Sequence, residues 1–457
     1  MATTLQRLLI FVTFMPFFTL FMIMVLRNDE SRRRDEPSPF DRYLDTGLAE
    51  PDSQPYWPEM RPAIPIEAGD SSHINRTISF RRSDPVDARW YLPAEGDAAN
   101  YQDTDILIWD KQDLWPEQNP LSDRIENQLI YRPATAMDYN ANDTGDVALK
   151  TIYLPEGYSS WGVEGERKVF VVRDKCPVNT CRLTDKANEA DTADAVLMKP
   201  RSTTQRAGHL SKQIWIMYAL ESPFHTPSFT TSKTVYNWTA TYRLDSDIVA
   251  PYEKYVLYNP AVRQIPQKIN YAGRKTGKGK VAWFVSNCNA KNNRLDYARQ
   301  LAKYISVDIY GSCGNKKCSR FQKNCEEMLQ TDYKFYLAFE NSNCRWYITE
   351  KFWINALGSN IVPIVMGAPL KDYQLLAPYK SFIHVDQFPN GPQELAEYLH
   401  KLDSDDNLYN EYFQWKGAGQ LINTFFYCRL CALLHSDRAP KTYADMEKWW
   451  RGEGVCV

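Results

Sequence analysis

From Lys280 onward the chain alternates strand-like and helix-like runs so regularly that few architectures can accommodate it. Val281-Ala282-Trp283-Phe284-Val285 reads as a strand, and the next segment places Leu295, Ala298, Leu301, Ala302 and Ile305 on one helical face. Strands at 307–310 and 333–339, a helix through Ile348, Phe352 and Ala356, strands at 361–367 and 382–385, and a helix over 392–402 continue the series. Successive strands joined through helices predict a parallel sheet with covering helices. Upstream, 105–109, 168–172, 195–198 and 213–219 also read as strands, while 143–146 and 185–194 read as solvated loops. A Gly-rich basic link, Arg274 to Lys280, separates the two halves. The expected fold class is α/β, with a first lobe over 101–272 and a second over 273–420.

Ligands dock at the carboxyl ends of strands in open α/β sheets. The densest polar cluster of the chain falls at such an end: Glu340-Asn341-Ser342-Asn343-Cys344-Arg345-Trp346-Tyr347-Ile348-Thr349-Glu350-Lys351. Ser286-Asn287-Cys288-Asn289 follows the preceding strand, with Arg294 one turn into the next helix. A turn of that kind offers backbone N–H groups to phosphate, although it lacks the glycine fingerprint of dinucleotide folds. In the first half, the apolar run 213–220 carries Glu221 to its end, where Ser222-Pro223 stops the strand. A partly desolvated carboxylate there suits a general base, and equally a cap or turn. Asp245-Ser246-Asp247 could hold a divalent cation or simply form a turn, and its place in the first lobe argues against a pyrophosphate-bound metal. Arg243 beside it is a candidate cation for the crevice.

Together, the 339–353 cluster, the following Ile361-Val362-Pro363-Ile364-Val365-Met366-Gly367, and Glu221-Ser222-Pro223 resemble the α1,3-fucosyltransferases of glycosyltransferase family 10. The resemblance runs from about Gln213 to His435 and implies two Rossmann-like lobes of the GT-B type. It implies Glu221 as base, Glu350 on the ribose hydroxyls, Arg294 and Lys351 against the diphosphate, and Ser286, Asn287, Asn341 and Tyr347 holding GDP-fucose. Glu340 would support them, and Arg345 sits where related sequences vary. No metal is obligate on this reading, though a divalent cation such as Mn could activate. The segment Phe425 to His435, with Cys428 and Cys431, resembles core-type members of plants and invertebrates, which modify the innermost GlcNAc of N-glycans. A Lewis-type enzyme acting on terminal lactosamine, or a catalytically silent sugar-binding membrane protein, are the alternatives.

Residues 8–26 form an apolar run broken only by Thr13, Pro16 and Thr19, enough to cross a bilayer. An uncleaved anchor is expected, with 1–7 cytoplasmic, 27–100 a charged, Pro-rich stem, and 421–457 a Cys-containing tail. Counting Arg7 against Arg27 and Arg32 to Arg34 would leave the bulk in the cytoplasm. Glycan-acceptor triplets at Asn75, Asn142 and Asn237, and ten cysteines, favour an oxidising lumen instead. The expectation is therefore a type II Golgi membrane protein with a luminal catalytic part. Cys313, Cys318 and Cys325 suit loop bridges, and Cys176 with Cys181 could close a short loop. Cys428 and Cys431 have zinc or redox spacing, for which a disulfide is preferred. A net charge of −2 gives no basic field for nucleic acid.

Overall fold

The computed structural model describes residues 90–91, 114–117, 123–133, 148–202, 212–230, 234–318, 324–438 and 441–457. The apolar run 8–26, the stem, the strand expected at 105–109, Asn75 and Asn142 lie outside these residues. Among the described residues no helix is long and apolar enough to cross a membrane.

The first lobe contains strands β1 (Lys150–Tyr153), β2 (Cys181–Thr184), β3 (Ala195–Met198), β4 (Ile214–Ala219), β5 (Trp238–Thr241) and β6 (Ile248–Val249). They form one parallel sheet in the order β2-β1-β3-β4-β5-β6. Strand β7 (Lys254–Leu257) leads out of the lobe. The second lobe contains β8 (Gly279–Phe284), β9 (Val307–Tyr310), β10 (Tyr333–Phe339), β11 (Val362–Met366) and β12 (Ile383–His384), parallel in the order β12-β11-β10-β8-β9. The chain then returns through β13 (Gly419–Ile422), which pairs antiparallel with β7. Strands β8 and β10 are neighbours while β9 and β11 lie on opposite sides, so the strand order reverses between them. Loops leaving β8 and β10 therefore open onto the crevice where such sheets bind ligands.

Burial explains the order. Trp283, Phe335, Leu337, Phe339 and Ile364 pack beneath the helices Arg294–Leu301 and Pro392–Ser404, whereas Ala282, Tyr336, Ala338 and Val365 face the helical segment Lys351–Gly358. Helix Pro392–Ser404 starts at Pro392 behind Gly391 in a positive-φ conformation, and buries Leu395, Ala396, Leu399 and Leu402 at helical spacing.

Three sequence expectations change. Residues 168–172 are not a strand: Val169–Arg173 makes one helical turn, burying Val169 and Phe170 and exposing Val171 and Val172. Burial in adjacent pairs fits a helix, and the β-branched composition had masked it. Cys176 and Cys181 do not pair with each other. Cys428 and Cys431, one helical turn apart on Phe426–Leu434, bridge to Cys176 and Cys181 respectively. Segment 421–457 is also more than an appended tail, since Leu430 and Leu433 pack with Ile152, Leu183, Leu197 and Ile216 in the first-lobe core. The expected loop bridge in 313–325 is present as Cys318–Cys325, while Cys313 pairs with Cys288.

The two long bridges span 252 and 250 residues. Replacing Cys181 and Cys431 together by Ala is expected to remove about 2–5 kcal/mol of stability. The check is the Tm under non-reducing conditions, where a value matching wild type would refute a stabilising role.

Candidate active site

Beyond β8 the chain turns through Ser286 and Asn287, both exposed. The Cys288–Cys313 bridge anchors this turn, and the Asn289 N–H donates to Asn287 Oδ1 at 3.2 Å. Gly311, at φ +103°, lies so close beneath that a Cβ would stand 2.4 Å from the Val285 carbonyl oxygen. Arg294 opens the following helix and is buried. Its Nη1 donates to the Phe339 carbonyl at 2.7 Å and its Nη2 to the Asn287 carbonyl at 3.0 Å. It thus ties the β8 turn to the end of β10. Burial lowers its pKa, against the pull of Glu340. The sequence reading put Arg294 against diphosphate, and the structure places it one layer behind the exposed turn.

At the end of β10, Glu340 is fully buried. Its carboxylate accepts from the Thr349 N–H and hydroxyl, each at 2.8 Å, and from Lys351 Nζ at 3.0 Å. Gly367 makes room for it: at φ +138°, a Cβ there would lie 2.6 Å from Glu340 Cβ. Lys351 also pairs with Glu350 at 3.3 Å. Burial raises the Glu340 pKa despite Lys351. Burial likewise opposes the Lys351 charge, but Glu340 and Glu350 hold it above its ordinary range. Glu350, partly exposed, sits below the usual carboxylate range because Lys351 and its hydrogen bonds overcome desolvation. A charged ammonium and a partly exposed carboxylate paired with it are therefore fixed at the start of segment Lys351–Gly358.

Glu221 joins the two lobes. It follows β4, and its Oε1 accepts from the Ser222 N–H at 2.8 Å, from Asn341 Nδ2 at 3.2 Å and from the Tyr347 hydroxyl at 2.7 Å. Asn341 and Tyr347 belong to the second-lobe cluster, so the first-lobe carboxylate is positioned by donors from across the crevice. All three bonds fall on Oε1, and Oε2 has no partner among the described residues. The Tyr347 hydroxyl stays protonated, since burial and then Tyr252, Glu221 and Glu340 push its pKa well above normal. Ser222 Oγ meets Ser342 Oγ at 2.9 Å, a second crossing that the sequence reading missed. So were Asn292, whose Nδ2 donates to the Glu340 carbonyl and to Asn343 Oδ1, and Tyr252, which donates to the Leu220 carbonyl and feels Glu350, Glu221 and Glu340. Asn292 lies within the Ser286–Arg294 segment and could have been noticed there, whereas Tyr252 lies away from the motifs, where no local spacing reveals it.

Other candidates are committed elsewhere. Arg243 donates to both Asp245 carboxylate oxygens and to the Trp449 carbonyl, and its guanidinium lies 4.3 Å from the Trp449 ring centre. It braces the first lobe. Asp247 is fully buried, accepting from Thr239 and Tyr443 beside Lys441. Arg345 donates to Asp372 at 3.0 Å. Asn237 fails as a glycan acceptor in the folded protein: it is buried, its Nδ2 donates to the Lys441 carbonyl and its Oδ1 accepts from the Trp215 N–H. Cys181 and Cys431 beside His435, and Cys176 and Cys428 beside Asp174, are metal-like clusters whose sulfurs are already joined in disulfides.

Two parallel-sheet lobes meeting at one shared carboxylate, with an ammonium and an exposed turn in the second lobe, have the build of a two-lobed group-transfer enzyme. Residues 149–253 match the family profile described as "Fucosyltransferase, N-terminal", and residues 274–449 match "Glycosyltransferase family 10 (fucosyltransferase) C-term". Glycoprotein 3-alpha-L-fucosyltransferase A of Drosophila melanogaster is 53% identical over 350 residues, covering 75% of this chain and 68% of that one. Alpha-(1,3)-fucosyltransferase 7 of Bos taurus is 34% identical over 286 residues, 60% of this chain and 79% of its own. A crystal structure of alpha1,3-fucosyltransferase with GDP-fucose aligns at TM-score 0.43 and 18% identity, over 67% of this chain and 97% of that one. The chain belongs to the glycosyltransferase family 10 fucosyltransferases and is an α1,3-fucosyltransferase.

Replacing Lys351 by Met would leave Glu340 buried without its cation, at a cost of about 3–5 kcal/mol. Thermal unfolding of Lys351→Met and Lys351→Met/Glu340→Gln checks this. The double variant should recover much of the loss, and equal Tm values would refute the pairing argument.

Proposed function

We propose that the chain is an inverting transferase that moves L-fucose from GDP-fucose to the 3-hydroxyl of GlcNAc, with the innermost GlcNAc of glycoprotein N-glycans as its principal acceptor. The observation that carries this reading is Glu221, held from the far lobe by Asn341 and Tyr347 with one oxygen left for a proton. The 53% identical relative, named a glycoprotein 3-alpha-L-fucosyltransferase, supports the acceptor.

The acceptor hydroxyl gives its proton to Glu221 Oε2 as its oxygen bonds to the fucose anomeric carbon. On the opposite side the bond from that carbon to the diphosphate breaks, and its electron pair leaves with GDP. A single displacement inverts the anomeric centre. Lys351 and the N–H groups of the Ser286–Asn287 turn meet the growing phosphate charge, which is most effective where water is excluded. Arg294 holds that turn, and Glu350 accepts hydrogen bonds from the ribose. On this reading a divalent cation such as Mn would act as an activator. The setting consistent with this role is the Golgi lumen, on a single-pass type II anchor.

Glu221→Gln keeps the size of the side chain but removes the base, so kcat should fall by about 10²–10⁴-fold with the Tm little changed. Turnover close to wild type would reject the assignment. Acceptor choice is decided by comparing a core glycopeptide with free terminal lactosamine. Faster transfer to the glycopeptide is expected, and a preference for lactosamine would favour the Lewis-type reading suggested by the bovine relative.

A further inference from the structure

Residues 446–457 contact both the loop that follows Glu221 and the second-lobe cluster that holds it. Helix Met446–Arg451 lies against the segment that follows Glu221. Arg451 donates from Nε to the Pro223 carbonyl at 3.1 Å, and from Nη2 to the carbonyls of Thr226 and Pro227. Its Nη1 pairs at 2.8 Å with Glu447, which accepts from the Phe229 N–H. Trp450 is fully buried and donates to Thr226 Oγ1 at 2.7 Å. Five residues later the chain crosses to the donor-side cluster. Cys456 is bonded to Cys344, the Arg345 N–H donates to the Val455 carbonyl, and the Val457 N–H donates to the Asn343 carbonyl. Between the two contacts, Tyr242 packs its ring on both Trp450 and Tyr347.

We propose that Arg451 and the Cys344–Cys456 bridge form one positioning device, a C-terminal strap that fixes the spacing between Glu221 and its partners Asn341 and Tyr347. Neither group touches Glu221. Each instead fixes a loop two or three residues from a member of that hydrogen-bonded set, one loop per lobe. The family match ends at residue 449, so the strap residues from Trp450 to Val457 lie beyond it. The inference rests on Glu221 being the base. A misplacement of about 1 Å at a reacting group can lower rate by about 10²-fold, so the strap acts mainly on kcat.

The test compares wild type, Arg451→Gln, Arg451→Lys, Cys344→Ser/Cys456→Ser and the combination of Arg451→Gln with the serine pair, using GDP-fucose and a core glycopeptide. For Arg451→Gln, kcat per folded molecule should drop by about tenfold or more, while the donor KM moves by less than about threefold. Arg451→Lys, which retains a donor for the Pro223–Pro227 carbonyls, should recover part of the rate. The combined variant should be little worse than the poorer of the two, because both act through one strap. A lower Tm with unchanged kcat in the folded fraction, or losses that simply multiply, would overturn the proposal. If the serine pair does not fold, the kcat-against-KM split and the lysine rescue still decide. Glu221→Gln, assayed alongside, separates the outcomes: its full activity would remove the base, whereas its inactivity beside a fully active Arg451→Gln removes only the strap.

Discussion

Three donors converge on one oxygen of Glu221, and two of them come from the opposite lobe. A carboxylate accepting several hydrogen bonds is confined in both position and orientation. The lobes are thereby registered at Glu221. Tyr347 performs a second task in the same place, since its buried ring packs on Tyr242 and shares one apolar cluster with Trp215 and Met217 of the first sheet and with Trp450. Apolar burial brings the lobes together, and the hydrogen bonds select the one arrangement in which Glu221 faces the second-lobe cluster.

A comparable division of labour holds beneath the second-lobe cluster. Glu340 is buried against the partly exposed Lys351, and its desolvation must be offset by good geometry, which the Thr349 hydroxyl and N–H provide. The pair fixes the start of segment Lys351–Gly358, so Glu350 emerges with a defined direction. Arg294 plays the matching part under the β8 turn, with its guanidinium on two backbone carbonyls. Buried charges thus shape the backbone that the exposed polar groups stand on.

The second lobe was readable because its strands are covered on both faces and its helices on one, which leaves strong periodic signals. β8, β10, β11 and helix Pro392–Ser404 all fall within a residue or two of the runs that predicted them. Glu221, Asn341 and Tyr347 stood out in the sequence because they fall in the segments just beyond the ends of β4 and β10, and the structure brings the three together in one hydrogen-bonded set. Roles set by distant contacts were not readable. Arg243 looked like a crevice cation until Asp245 and the Trp449 carbonyl occupied its nitrogens. Asn237 satisfied a glycan triplet, yet its amide completes hydrogen bonds between elements more than 20 residues apart in sequence. The disulfide pattern failed for the same reason, since spacing along the chain says nothing about which helix will lie over β2.

That helix, Phe426–Leu434, has a consequence for biosynthesis. The sheet it covers is made well before it on the ribosome, but its apolar underside stays open until Phe426–Leu434 has emerged. The first lobe is therefore begun first and finished last. Its nascent form keeps that face uncovered until then, and a chain cut short before Cys428 would lack both the helix that seals the first lobe and the Cys456 partner of Cys344 in the second.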